Sequence, residues 1–175
     1  MKWTHWMAMA GIGLCASPAF AGRDGSREDP GNSITPRSVA RPERATTATI
    51  VLDETTFDRT IDKGGIVFID WWSPWCAACR AFGPVYERVA ARHPDVTFAR
   101  IDTDQERALS SDLRIESIPT LMAIREGVIV ATRIGTLSEA EVEALVQRVH
   151  ALDMDTIRAE IAREKAAAAG RREAS

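Results

Sequence analysis

The chain has 175 residues, of which 45% are apolar and 27% charged, and its formal net charge is −3. This composition is typical of one globular domain accompanied by some non-globular sequence. The charges are spread along the chain without a long basic run, so neither nucleic acid nor an anionic membrane surface is expected as a partner.

The first 21 residues have the layout of a secretory signal. Lys2 precedes a modest apolar stretch over residues 6–15, and a helix-breaking Pro18 and small residues lead to a cleavage position after Ala21. We therefore interpret residues 1–21 as a signal peptide and expect export to the periplasm. The alternatives are an uncleaved apolar N-terminus or a wrongly assigned start codon, with a cytoplasmic protein. No apolar run reaches the roughly 18 residues that span a bilayer, so stable membrane insertion is not expected.

The next segment, residues 22–47, contains three prolines, three glycines and charges of both signs. It offers almost nothing apolar to bury, and such segments do not gain enough from folding to offset the loss of chain entropy. We predict a disordered linker.

Apolar runs of strand length alternate with helical patterns over residues 48–150. Asp53 is placed to cap a first helix, and the continuous apolar run at residues 65–72 is typical of a strand buried on both faces. A turn at residues 126–127 predicts an antiparallel hairpin, and Ser138 opens the last helix of the domain with a capping box. The predicted order is β-α-β-α-β-α-β-β-α, an α/β fold with a central mixed β-sheet flanked by helices.

Residues 151–175 remain as a tail whose alanines and paired charges favour a helix, and we predict a helical, partly disordered C-terminal tail. Met154, Ile157 and Ile161 form a thin apolar stripe on it. Loose packing on its own domain is the favoured interpretation, and a helix that binds a partner is the alternative.

The stretch WWSPWCAACR, residues 71–80, carries a Cys-x-x-Cys pair, which serves in proteins as half a zinc site, a haem attachment or a redox couple. Zinc needs two further ligands, and His5, His93 and His150 show no paired spacing. Covalent haem needs a histidine where Arg80 stands. No metal and no cofactor are therefore expected, which leaves a redox couple or two inert buried thiols.

The predicted strand-to-helix placement gives the two cysteines different chemistry. Cys76 lies at the start of a helix, where free backbone N–H groups and the helix dipole favour thiolate over thiol. Cys79 lies one turn further along on the same face. We predict that Cys76 is the nucleophile and that Cys79 resolves the mixed disulfide.

Together with this loop, the strand residues FID before it, Pro84, the Ile-Pro-Thr turn at residues 118–120 and Gly135 resemble the thioredoxin family. The resemblance covers about residues 48–150, which we take as a thioredoxin domain. A lone Cys-x-x-Cys is a moderate signal, but the combination is specific.

The resemblance implies roles for residues that local patterns leave open. Asp70 matches the family's buried carboxylate behind the second cysteine, which would assist proton transfer to and from Cys79. Without the family resemblance, the local sequence would be explained equally well if Asp70 were an ordinary strand-end or capping aspartate. Trp72 and Trp75 match tryptophans that flank the family's active site, whereas Trp71 is expected to fill the core.

The resemblance also implies a substrate-binding surface. Pro119 matches the family's cis-proline, which exposes the backbone of the preceding Ile118 to pair with an extended substrate. Trp75 is expected to contribute to the same surface.

Two departures from the family pattern concern the reactivity of the site. Residues 77–78 are Ala-Ala where thioredoxins proper commonly have Gly-Pro, and this pair affects thiolate stability and reduction potential in a direction that the sequence leaves open. Arg100 replaces a lysine that many members carry near the buried carboxylate, so the resemblance does not fix the pKa of Asp70.

These observations predict a thiol-disulfide oxidoreductase that reduces disulfides in substrate proteins and acts as a monomer. A disulfide oxidase or isomerase is one alternative. Such proteins usually carry an inserted helical domain or dimerise, and the spacing between Cys79 and Pro119 leaves no room for an insertion. A non-catalytic binding module or holdase is the other, but binding alone needs neither thiol. The expected electron donor is a membrane thiol-disulfide transporter if the protein is exported, and a thioredoxin reductase if it is cytosolic.

Overall fold

The computed structural model describes residues 48–173. The predicted signal peptide, residues 1–21, and the predicted linker, residues 22–47, lie outside these residues, as does the end of the tail. The described elements are β1 (Ile50–Val51), α1 (Glu54–Asp62), β2 (Ile66–Trp72), α2 (Ala77–Ala90), β3 (Thr97–Asp102), α3 (Arg107–Asp112), β4 (Thr120–Arg125), β5 (Val128–Ile134), α4 (Glu139–His150) and α5 (Met154–Glu173).

The strands form one mixed sheet in the order β1-β3-β2-β4-β5. β3 runs parallel to both β1 and β2, whereas β4 is antiparallel to β2 and to β5. In the central strand Asp70 faces Arg100 of β3 on one side and Leu121 of β4 on the other. The predicted mixed sheet flanked by helices is confirmed.

Alternation along β2 divides the core into two layers, because successive side chains of a strand point to opposite faces. Phe68 packs with buried residues of α2 and α4 on one face. Ile69 and Trp71 pack with α1 on the other face, where leucines of the α3 region also lie. Asp70 and Trp72 share the parity of Phe68, so they lie on the α2 side of the sheet.

Local capping signals fix the helix starts as predicted. Asp53 and Ser138 each accept a hydrogen bond from the backbone of the residue three positions on, within complete capping boxes that begin α1 and α4. Pro84 lies inside α2, which continues to Ala90. The hairpin turn is also confirmed, with Gly127 at a φ of 79°, a backbone region that glycine adopts without steric cost.

The first strand is short and apolar, as the sequence predicts. It has only two residues, Ile50 and Val51, and both side chains are exposed. As an edge strand it pairs with β3 alone, and the buried apolar side chain of this segment is that of Leu52, which follows the strand.

The tail forms the predicted helix, α5, which touches the domain mainly through its first turns. Met154 is buried, Ile157 and Ile161 are half-buried, and the following residues to Arg171 are exposed. Arg158 forms an ion pair with Glu126 in the β4–β5 turn. No helix in residues 48–173 combines the length and the apolar character that a membrane-spanning helix needs.

Candidate active site

The cysteine pair lies where the chain passes from β2 into α2. Cys76 and Cys79 form a disulfide, and their Cα atoms are 5.2 Å apart. Cys76 is 7% exposed and Cys79 is fully buried at 0%. Of the two sulfurs, that of Cys76 is therefore the one that another molecule can approach.

Cys76 is the N-cap residue of α2, and its sulfur accepts a hydrogen bond from the backbone N–H of Cys79 at 3.1 Å. Its own N–H donates to the Ser73 carbonyl oxygen at 3.2 Å, which closes the turn before the helix. A helix N-terminus leaves backbone N–H groups free and carries a partial positive charge. A negative charge on the Cys76 sulfur would be stabilised by both effects.

Asp70 is the buried carboxyl of the site. Its Oδ2 accepts a hydrogen bond from Nε of Arg100 at 3.0 Å, while its Oδ1 has no partner among the described residues. Burial raises the pKa of Asp70 to about 6, although the charge and hydrogen bond of Arg100 act in the opposite direction. A carboxyl with this pKa can gain and lose a proton near neutral pH.

The side chain of Arg100 lies between strand and helix. Its guanidinium carbon is 4.3 Å from the ring centroid of Trp72. A Cβ added at Gly83 would lie 3.6 Å from a terminal guanidinium nitrogen, so the absence of a side chain at this point of α2 leaves room for the arginine.

An exposed rim surrounds the cysteines. Trp75 is 69% exposed, and its indole N–H donates to Oδ2 of Asp104 at 2.7 Å. The Ile118–Pro119 peptide bond is cis, as the resemblance implies, and the Pro119 carbonyl accepts a hydrogen bond from Gly135 N–H at 2.8 Å.

The register of the sheet brings these loops to one edge. Thr120, which follows Pro119, pairs with Trp71 near the end of β2 and with Ile134 at the end of β5. Trp72 pairs with Asp102, so the loop that carries Asp104 lies at this edge too. The cysteine loop and the loops around Asp104, Pro119 and Gly135 therefore meet beside one another.

The predicted site residues fall into two groups in the structure. Cys76 and Cys79 are bonded, with Asp70 on the adjoining face of the sheet, and Trp75, Ile118 and Pro119 lie on the loops of the rim. In the part of the chain that the structure describes, no three histidine, cysteine or acidic side chains cluster in a way that could hold a metal ion.

Sequence reasoning missed three residues at the site. Asp104 holds Trp75, Ser73 is fully buried with a hydroxyl that none of the residues in 48–173 pairs, and Gly83 lies against Arg100. Asp104 could have been found from its position, because it is a polar residue that follows a parallel strand at the same edge of the sheet as the cysteine loop. No local pattern distinguishes Gly83 from other helix glycines.

Comparison with known proteins identifies the family. The thioredoxin family model matches residues 48–148. The chain is 40% identical over 122 residues to "Putative thioredoxin 2" of Streptomyces coelicolor, covering 70% of this chain and 91% of that protein. It is 31% identical over 134 residues to the chloroplastic M-type thioredoxin of Chlamydomonas reinhardtii, covering 76% and 86% of the two chains.

Solved structures agree on the fold. A chain from a study of thiol resolution in yeast mitochondrial 1-Cys peroxiredoxin via glutathione/thioredoxin systems aligns with a TM-score of 0.54 at 21% identity, over 58% of this chain and 96% of that one. With the family match and a disulfide-bonded Cys-x-x-Cys at a helix start, this chain belongs to the thioredoxin family and is a thiol-disulfide oxidoreductase.

Proposed function

We propose that this protein reduces disulfide bonds in other proteins, with Cys76 as the nucleophile and Cys79 as the resolving thiol. The observation that carries the proposal is the hydrogen bond from Cys79 N–H to the Cys76 sulfur, together with the greater exposure of Cys76. The thiolate is the reactive form of cysteine, and only Cys76 has both the helix-terminal stabilisation and a path to solvent.

The reaction proceeds by two thiol-disulfide exchanges from the reduced protein. The Cys76 thiolate attacks one sulfur of a substrate disulfide, forms a mixed disulfide with it and expels the other substrate sulfur as a thiolate. Cys79 then loses its proton and attacks the Cys76 sulfur. The Cys76–Cys79 disulfide forms, the bond to substrate breaks, and the second substrate thiolate leaves; the substrate gains two electrons and the protein loses two.

Asp70 is the group that we propose to take the proton of Cys79. Its pKa of about 6 leaves the carboxylate ionised at neutral pH, and its Oδ1 has no partner among residues 48–173. In the reverse direction the protonated carboxyl returns the proton when an electron donor opens the Cys76–Cys79 disulfide.

An extended segment of the substrate would lie on the exposed rim. Trp75 and Ile134 are 69% and 72% exposed and offer apolar surface beside the cysteines. Ile118 precedes β4, and strand pairing with β2 begins at Thr120, so its backbone lies outside the ladder and is placed to pair with a substrate strand. The relatives named as thioredoxins support this assignment by family.

We also propose that the protein works as a monomer and that it is located in the periplasm. The location is supported by residues 1–21, which have the layout of a secretory signal. A membrane thiol-disulfide transporter would then supply its electrons. Cell fractionation combined with alkylation of free thiols tests the compartment and the resting redox state. A cytoplasmic protein kept reduced by a thioredoxin reductase would overturn this part of the proposal.

The function itself is tested with insulin as the disulfide-containing substrate and dithiothreitol as the electron donor. The protein should accelerate cleavage of the insulin interchain disulfides, and Cys76→Ser should reduce the rate to that of dithiothreitol alone. A wild-type rate equal to that of dithiothreitol alone would reject disulfide reduction as the function.

A further inference from the structure

We propose that the groove between α3 and the loop leading to Ile118, here the α3 groove, is a subsite for an acidic side chain of the substrate protein, whose carboxylate Arg107 and Arg114 bind. The proposal rests on the proposed function and extends it to the choice of substrate.

A polar stripe of side chains forms one wall of the α3 groove, which has a volume of about 430 Å³. The stripe consists of Arg107, Ser110, Ser111 and Arg114. Spacings of three, four and seven positions place side chains on the same side of a helix. The leucines of the α3 region pack against the core, so the stripe is the side of α3 that the core leaves open.

The other wall joins the α3 groove to the cysteine loop. Thr103 lines the groove, and its backbone N–H and its hydroxyl both donate to the Trp72 carbonyl, at 2.9 and 3.3 Å. Trp72 is the last residue of β2, after which the chain enters the cysteine loop. Glu116, also in the lining, lies two residues before Ile118. A substrate segment on the exposed rim therefore has the α3 groove beside it.

Arg107 is held next to the residue that orients Trp75. Its Nε donates to the backbone carbonyl of Asp104 at 3.2 Å, and the carboxylate of Asp104 accepts the indole N–H of Trp75. The terminal nitrogens of a guanidinium form a planar fork that suits a carboxylate. No acidic side chain of residues 48–173 forms an ion pair with Arg107, so this fork is available to a substrate.

Arg114 has a backbone conformation that is unfavourable for arginine. It follows the C-cap residue Leu113 of α3 and has a φ of 52°, where glycine is the usual residue. A side chain costs energy in this region, and such strain is found most often at functional sites. The Arg114 side chain is exposed and forms no ion pair within the described part of the chain.

The charges of the α3 groove match a single carboxylate. Glu116 lines the groove but lies in no ion pair with either arginine, so two guanidinium groups and one carboxylate leave one net positive charge. A side-chain carboxylate carries one negative charge, whereas a phosphorylated side chain carries nearly two. The whole chain has a net charge of −3, so a local cationic groove can favour acidic segments that the rest of the protein repels.

Two synthetic peptides with one cysteine each test the proposal. The cysteine is joined by a disulfide to 2-nitro-5-thiobenzoate, and its neighbours are glutamates in one peptide and glutamines in the other. Attack of the Cys76 thiolate of the pre-reduced full-length protein on the peptide sulfur forms a mixed disulfide and expels the coloured thiolate, whose absorbance gives the rate. The glutamate peptide should react about fivefold faster, the upper range for an exposed ion pair, and added salt should reduce this ratio.

Variants with changed charges assign the preference to the groove. Arg107→Gln and Arg114→Gln should each lower the rate ratio to about twofold, and the double variant should lower it to about one. Glu116→Gln should raise the ratio, because it removes the charge that opposes the arginines. Arg163→Gln, at an exposed position of α5, is the matched control: it changes the net charge by the same unit and should leave the ratio unchanged. Circular dichroism establishes that each variant is folded.

Equal rates of the wild-type protein with the two peptides would overturn the proposal, as would an equal loss of preference in Arg163→Gln and Arg107→Gln. A loss of rate with both peptides at a constant ratio would assign the arginines to the structure of the loop and would also overturn it. Failure of the proposed function looks different: the wild-type protein would react with neither peptide and would not reduce insulin, and the subsite would fall with it.

Discussion

The backbone N–H of Cys79 donates a hydrogen bond to the Cys76 sulfur at 3.1 Å, so the proposed resolving residue also stabilises charge on the proposed nucleophile. The two contributions come from different atoms of Cys79. Its backbone N–H stabilises the Cys76 thiolate before that thiolate attacks the substrate. Its side-chain sulfur attacks the mixed disulfide afterwards. A substitution of the side chain should therefore separate the two steps.

Cys79→Ser is expected to keep the attack and lose the release, because the backbone N–H at residue 79 is retained. The variant should accumulate a covalent disulfide between Cys76 and its substrate, since intramolecular resolution normally outruns competing thiols by its high effective concentration. Non-reducing gels after incubation of the pre-reduced variant with a disulfide-containing protein measure the adduct.

Cys76→Ser is the matched control and should accumulate no adduct, because Cys79 is fully buried and lacks a helix-terminal donor to its sulfur. Equal trapping by the two variants, or trapping by neither, would mean that the cysteines do not divide the reaction as nucleophile and resolver.

Asp70→Asn is expected to increase stability at alkaline pH while slowing release of substrate. The folded-state pKa of Asp70, about 6, lies above its ordinary value of 3.8, so ionisation costs the folded state more than the unfolded state. The cost is absent below about pH 3, where both states are protonated, and complete above about pH 7, where both are ionised. A shift of about 2 units corresponds to about 3 kcal/mol.

Urea unfolding of the oxidised proteins at several pH values measures this difference. The variant and the wild type should be about equally stable near pH 3, and the variant should be more stable by about 2 to 3 kcal/mol at pH 8. A constant difference across this range would show that Asp70 does not titrate with a raised pKa. Unchanged release kinetics from pH 5 to pH 8 would argue against its role in proton transfer.

Removal of α5 should cost stability only when its first turns are lost. A chain that ends at Ala162 keeps Met154 and Ile161, and we expect its melting temperature to match that of the full chain, since the removed side chains that are described are exposed. A chain that ends at Asp153 loses the buried Met154 and the Arg158–Glu126 ion pair. It should be less stable by about 2 kcal/mol, mostly from the methionine.

Thermal unfolding of the two truncated chains and the full chain decides this prediction, with insulin reduction as the measure of activity. Activity should be the same in all three, because α5 contributes no residue to the cysteine loop or its rim. A large drop in melting temperature for the chain that ends at Ala162 would show that the outer part of the helix packs on the domain.

Elements whose signals are local could be predicted from the sequence. The caps at Asp53 and Ser138 and the strand-to-helix position of Cys76 depend on residues within one turn of one another. The pair of Asp70 and Arg100 has no local signal, because it joins residues 30 apart whose contact depends on the register of two strands, and only the family resemblance placed Arg100 near this carboxylate.

The exposure of the short first strand likewise has no local signal. Composition indicated an apolar strand, but burial depends on the number of neighbouring strands, and β1 has only β3 beside it. The signal peptide, the linker and the domain boundaries at residues 48 and 150 stay predictions from sequence, as do the roles assigned to the site residues.

Asp104→Ala is expected to weaken substrate binding with little effect on the chemical steps. The Asp104 carboxylate accepts the indole N–H of Trp75 at 2.7 Å and is the contact that orients this largely exposed ring beside the cysteines. Without it the ring gains rotational freedom that substrate must remove on binding. The KM for insulin should rise about fivefold while kcat stays near the wild-type value.

Asp112→Ala, which removes an exposed carboxylate of α3 away from Trp75, is the control for the change in charge and should leave both parameters unchanged. A fall in kcat at constant KM would instead place the effect of Asp104 on the cysteine chemistry and reject a binding role for the ring.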